Sequence, residues 1–247
     1  MPPPPGEVAE GRKGLTMNKR LEAIEALVRP GRGLIDVGTD HGYLPLSLAR
    51  HGYPGALFAS DLREGPLNAA RRSAAAAGLS SRIGFQLCDG LDGCDRSVVD
   101  TIVIAGMGGD TICGILDRAE WCMDPRYTLI LQPMTRAEVL RYWLTNNGFV
   151  IDAERLAEDA GELYALLRTR FGGEQRLSDA ELYTGAFEQI EQEELWPAFL
   201  CRQRDRMEKL LAGLRKSGRE PGRLRLMEAV AEELKEREAH AKYSGNL

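Results

Sequence analysis

At 247 residues, with 43% hydrophobic and 28% charged side chains, the chain can bury a real core and suits one sizeable domain with an appendage. No apolar run approaches the roughly 20 residues of a membrane span, and the opening MPPPPGEVAEGRKG lacks the apolar core of a signal peptide, so a cytoplasmic protein away from membranes is expected. The net charge of −5 argues mildly against nucleic acid as a partner. Five cysteines without a CxxC pair (Cys88, Cys94, Cys113, Cys122, Cys201) point to reduced thiols, and His41, His51 and His240 lie at no metal-ligand spacing from them, so no metal is expected.

Residues 1–14 are expected to be disordered. Leu15 to Val28, with Leu21, Ile24, Leu27 and Val28 on one face, reads as a helix stopped by Pro30-Gly31. Strands follow at 33–37, 55–60, 83–88, 101–105 and 128–132, with helices at 43–51, 65–77, 110–117 and 136–146 between them. This is the rhythm of a parallel sheet covered on both faces. Two further strands, 149–155 and 163–171, lack a helix-length connection and should pair as an antiparallel hairpin at the sheet edge. The fold class is therefore α/β over 15–173: a Rossmann-like sheet of five parallel strands plus an antiparallel edge hairpin, which resembles, at the level of fold only, the sheet of the class I methyltransferases.

The character changes over 174–247, where a helical region is expected. Ser178-x-x-Glu181 has capping-box spacing and opens a helix that Trp196-Pro197 interrupts. Phe199, Met207, Leu210, Leu211 and Leu214 form one stripe, Leu226, Met227, Val230 and Leu234 another, and Gly218 with Pro221-Gly222 makes the turn of a coiled-coil-like antiparallel hairpin. Between Arg202 and Arg225 nine basic residues face three acids, a net +6 against −11 for the remainder. Such a run is either a phosphate-binding surface or a solvated helix face that merely covers the sheet.

The stretch LIDVGTDHGYLPLSLAR, from Leu34, runs from an apolar strand through a glycine-bearing turn into a helix, the arrangement of a nucleotide site whose turn offers free backbone N–H groups. A dinucleotide turn wants Gly-x-Gly-x-x-Gly, but Asp40 replaces the middle glycine between Gly38 and Gly42. A carboxylate there would repel a pyrophosphate, whereas S-adenosylmethionine carries a sulfonium and an ammonium, so Asp36 and Asp40 favour that ligand. Asp61 closes the second strand 25 positions after Asp36, where a ribose-binding acid belongs, although an acid beside Gly65-Pro66 also suits a helix start. Asp89-Gly90 follows the third strand, at the usual place of the acid that receives an adenine amino group. After the fourth strand, IAGMGGD exposes backbone at Gly106 and projects Met107 over the expected methyl position, if Met107 is not core filler.

The segments DVGTDHGYLP, ASDLREGPL, CDGL, IAGMGGD and LILQPMTRAEVLRYWLTNNGF resemble the bacterial tRNA adenine-N1 methyltransferase family that acts on adenine 22 of the D-arm, from about Leu15 to Phe171. The resemblance implies S-adenosylmethionine as donor and tRNA as acceptor. It puts Asp36, Gly38, Asp40, His41, Gly42, Asp61, Asp89, Gly90, Gly106 and Met107 at cofactor or pocket positions; Thr39 and Leu62 beside them are further expected cofactor contacts, and Asp40, Met107 and, by position, Asp110 are the expected catalytic residues.

Neutral adenine offers its N1 lone pair directly, so positioning and desolvation, not a strong base, should supply most of the acceleration. Asp40 or Asp110 could stabilise the cationic product, and His41, Tyr43 and Met134 could stack on a base extruded from the tRNA fold. Tyr43 serves equally well as packing at a helix start. Arg202, Arg215, Lys216, Arg219 and Arg223 are the expected phosphate contacts, and a monomer or weak homodimer is expected. A methyltransferase of the same fold acting on another RNA, a protein or a small molecule remains open, as does a non-catalytic RNA-binding subunit.

Overall fold

Strand β1 (Gly33–Val37) is buried at every residue, and its side chains alternate between two cores: Ile35 and Val37 face one, Leu34 the other. The same alternation runs through β4 (Thr101–Gly108) and β5 (Thr128–Thr135), where Ile102, Ile104, Leu129 and Leu131 oppose Val103 and Ile130. Strands covered on both faces need apolar residues at both phases, which is why these segments read as continuous apolar runs. The computed structural model describes residues 19–190 and 193–244. The expected disorder of 1–14 and the start of the first helix fall outside those residues.

With β2 (Ala56–Asp61), β3 (Ile83–Leu87), β6 (Phe149–Asp159) and β7 (Glu162–Phe171), the sheet has the order β3-β2-β1-β4-β5-β7-β6. The first five strands are parallel; β7 pairs antiparallel with β5 and with β6. Helices α1 (Lys19–Leu27), α2 (Tyr43–Arg50) and α3 (Glu64–Ala76) cover one face; α4 (Gly109–Arg118) and α5 (Ala137–Asn146) cover the other. The order reverses between β1 and β4, the switch point at whose carboxyl ends such sheets bind ligands.

Three expectations change. The fourth strand does not stop at Ala105: β4 continues to Gly108 through an irregularity between Ala105 and Met107, and α4 starts at once, so IAGMGGD is a bulged strand end and not an open turn. The edge hairpin is longer than expected, because Ala160 (φ 51°) and Gly161 (φ 81°) form a two-residue turn that pairs Asp159 with Glu162. Trp196-Pro197 begins a helix instead of interrupting one. The capped helix α6 (Asp179–Thr184) ends at Gly185, a short α7 (Phe187–Ile190) follows, and Pro197 then occupies the first turn of α8 (Trp196–Ser217), where its missing N–H costs nothing.

The Ser178 capping box forms as expected, with Ser178 Oγ accepting from Glu181 N–H and the Glu181 carboxylate accepting from Ser178 N–H. Gly218, at φ 60°, ends α8 and turns the chain into α9 (Pro221–Ser244). Met207, Leu211 and Leu214 meet Met227, Val230 and Leu234 along the seam. A fully buried ion pair fastens α6 to the sheet: Arg141 on α5 donates to both carboxylate oxygens of Glu154 on β6, at 3.0 and 3.2 Å, and to Leu182 O at 2.9 Å. Removing one partner of such a pair costs about 3–5 kcal/mol. Gly185 is required beside it, because a Cβ there would collide with the Glu154 carboxylate.

Candidate active site

The loop after β1 is tied down by its own sheet. Gly38 and Thr39 N–H both donate to Ser60 O on β2, at 2.8 and 2.9 Å, and Gly42 N–H donates to Thr39 O, so these three amides are not free for a ligand as the turn had suggested. Thr39 Oγ1 donates to Asp36 Oδ2 at 2.7 Å. Asp36 is 7% exposed, and burial pushes its carboxyl up to about 6 against the pull of Thr39 and of the Arg20 charge. Asp40 adopts φ 50°, which an Asp tolerates better than most residues, and its side chain stands in solvent beside His41, 3.9 Å away. His41 in turn stacks on Tyr43 with ring centroids 5.3 Å apart.

A cavity of about 510 Å³ opens at the carboxyl ends of β1, β2 and β4. It brings together Gly38, Asp40, Asp61, Leu62, Asp89, Gly90, Gly106 and Met107 of the expected site. Asp36, Thr39, His41, Gly42 and Asp110 do not line it. Asp36 and Thr39 support the loop from beneath. Gly42 serves packing: at φ 71° it heads α2, and a Cβ would press on Ala70 of α3 at 3.0 Å. Asp110 is paired with Arg136 at 2.9 Å.

Two strand ends meet at Gly38. A Cβ at this residue, which has φ 74°, would overlap the Met107 methyl carbon, so the glycine of β1 and the methionine of β4 form one wall. Asp61 is 8% exposed, its Oδ1 accepts Arg63 N–H at 2.8 Å, and its Oδ2 has no hydrogen bond among the described residues. Asp89 Oδ1 accepts from Arg118 Nη2 at 3.0 Å. Gly90, at φ 60°, lies against Ile115 of α4.

Four residues of this region have no role assigned from the motifs. Arg118 reaches the cavity from the end of α4, and Cys88 lines it beside Asp89. Gln132 is fully buried within β5, where its Oε1 accepts from Arg20 Nη1 at 2.6 Å and from Gly106 N–H at 3.1 Å. A glutamine closing the apolar run TLIL was the available signal; nothing local marks Arg20 as its partner.

The cavity's chemistry fits a sulfonium nucleoside. Acids stand at three successive strand ends, Asp40, Asp61 and Asp89, and glycines at 38, 90 and 106 admit close backbone approach. Among the described residues no group of three metal-ligating side chains is found, and no helix is long and apolar enough to cross a membrane.

Residues 17–167 match a family model described as a methyltransferase domain. The chain is 33% identical over 159 residues to the tRNA (adenine(22)-N(1))-methyltransferase of Bacillus subtilis, a match spanning 64% of this chain and 66% of that protein, just under two thirds of its length. A Streptococcus pneumoniae protein, described as a candidate tRNA (m1A22) methyltransferase and solved with S-adenosyl-L-methionine, is 34% identical with a TM-score of 0.75, over 87% of this chain and 100% of that one. A Streptococcus agalactiae protein of the NADB-Rossmann superfamily gives 30% identity and a TM-score of 0.78, over 90% and 97% of the two chains. The chain belongs to the methyltransferase-domain family, in the group of the tRNA (adenine-N1) methyltransferases.

Proposed function

We infer that this protein transfers the methyl group of S-adenosylmethionine to N1 of adenine 22 in tRNA, in the cytoplasm. The observation that carries the reading is the convergence of Asp61, Asp89 and the Gly38–Met107 wall on one cavity at the switch point of the sheet. The bound donor supplies an electrophilic methyl on sulfur. Asp61 would hold the ribose hydroxyls through Oδ2, Asp89 would receive the adenine amino group, and the buried Asp36 carboxylate would favour positive charge above the loop. Met107 limits the space beside Gly38 and would orient an entering base toward the donor's methyl group. No residue need remove a proton from N1 before attack; Asp40, exposed at the rim, would stabilise the cationic product. Asp110 is less suited to that role because Arg136 already holds it.

The tRNA backbone is taken by the helical hairpin. Arg215, Lys216, Arg219 and Arg223 cluster at the α8–α9 turn and are exposed. Arg215 pairs with Glu228, Arg223 with Glu220, and Arg202 farther along α8 with Glu162, while Lys216 and Arg219 have no ion pair among the described residues. Exposed pairs of this kind contribute about 0–1 kcal/mol and exchange readily for phosphate. The test is incorporation of labelled methyl into unmodified tRNA, into protein and into small-molecule extracts offered separately. Incorporation into tRNA alone is expected; labelling of another class would overturn the reading.

A further inference from the structure

Arg20 sits in the first turn of α1, the helix that packs across β5, β6 and β7. Its Nη1 donates to Gln132 Oε1 at 2.6 Å, and the same oxygen accepts Gly106 N–H at 3.1 Å. Gln132 Nε2 donates to Pro133 O at 3.1 Å and faces Met134 Sδ at 3.5 Å. A side-chain amide has two orientations, and a flip would turn its NH2 toward two donors while setting its oxygen against a carbonyl. With Gln132 fully buried, water cannot repair that mismatch. The arginine cation therefore selects the amide orientation, and through it fixes a Gly106 peptide already held at φ 79°.

We propose that Arg20 is a positioning residue for methyl transfer: through Gln132 Oε1 it pins the Gly106 N–H and so holds Met107 against Gly38, where the acceptor base must meet the methyl group. This rests on the function proposed above for the same cavity. Arg20 does not line the cavity and touches no reacting atom. Its guanidinium also lies 6.0 Å from the ring centroid of Tyr164 on β7, which steadies it from the sheet-edge side.

The test compares wild type with Arg20→Met, Arg20→Lys, Gln132→Leu and the Arg20→Met/Gln132→Leu double variant. Arg20→Met should lower kcat about 10- to 100-fold while the KM for S-adenosylmethionine stays within about threefold, because the geometry of transfer and not donor binding is loosened. Arg20→Lys should recover most of the loss. The double variant should be no slower than Gln132→Leu alone, since Arg20 acts through that amide. Independently of any substrate, hydrogen exchange of the Gly106-containing peptide should quicken about tenfold or more in Arg20→Met, with the β6–β7 hairpin unchanged. Wild-type turnover in Arg20→Met, additive losses in the double variant, or unaltered exchange at Gly106 would each overturn the proposal. If wild type itself fails to methylate tRNA, the functional reading is what fails, and the exchange measurement still decides whether Arg20 pins Gly106.

Discussion

Arg118 Nη2 donates to Asp89 Oδ1 at 3.0 Å, so the last turn of α4 holds the acid that follows β3 while both residues line the same cavity. Both side chains are about half exposed, which makes the pair a weak one. Asp61, by contrast, is nearly buried with its Oδ2 unused. Asp61→Ala should therefore weaken S-adenosylmethionine binding by about 1.5–3 kcal/mol. Asp89→Ala should cost about tenfold, and Arg118→Ala less than about threefold. Titration calorimetry measures all three; equal losses at Asp61 and Arg118 would show that the carboxylates do not carry donor binding.

Stability should carry the signature of Asp36. Its native carboxyl is raised from 3.8 to about 6, so the native state binds the proton more tightly than the unfolded chain. The resulting stabilisation is fully present below about pH 4 and is lost as pH rises through about 6. Relative to Asp36→Asn, which cannot ionise, the wild type should lose stability between pH 4 and pH 7. Denaturant midpoints across that range measure it, and parallel curves for the two proteins would show that Asp36 is not buried as described.

Cys88 should be the most reactive thiol on the chain. The neighbouring Cys94 thiol pulls it down to about 7, whereas burial raises Cys113 to about 11 and Cys122 to about 12. Alkylation at Cys88 should rise with pH to a half-maximum near 7, be slowed by S-adenosylmethionine, and shift to higher pH in Cys94→Ala. Peptide mass spectrometry after timed iodoacetamide exposure resolves the sites. Equal labelling of Cys88 with and without the donor would place the thiol outside the donor's reach.

Replacing Arg215, Lys216, Arg219 and Arg223 by glutamate should weaken tRNA binding and flatten its dependence on salt, because each lost phosphate contact releases fewer counterions. Donor affinity should not change, since none of the four lines the cavity. Filter binding over a salt series is the measurement. Wild-type tRNA affinity and slope in the quadruple variant would leave the hairpin turn as a solvated surface.

The sheet was legible because strands buried on both faces must be apolar at every position, as GLIDV and TLILQ nearly are, and because Ser178 and Gly218 punctuate their helices in the ordinary way. The end of β4 was misread because glycine has low strand propensity, while pairing of Met107 and Gly108 with β5 overrides it. Trp196-Pro197 was misread because proline suits both a helix break and a helix start, and only the chain before it decides. The acids at the strand ends were visible as motifs. Arg20, 112 residues from Gln132, and Arg141, whose partner Glu154 lies on another element, were not, since pairing across the fold leaves no local pattern.

The most direct test is position-resolved mass spectrometry of unmodified tRNA incubated with the protein and isotope-labelled S-adenosylmethionine. The cavity and the family together predict one labelled nucleoside, 1-methyladenosine, at position 22, and none in a transcript carrying guanine there. Label at another position, on another base, or retained in the guanine transcript would contradict that assignment.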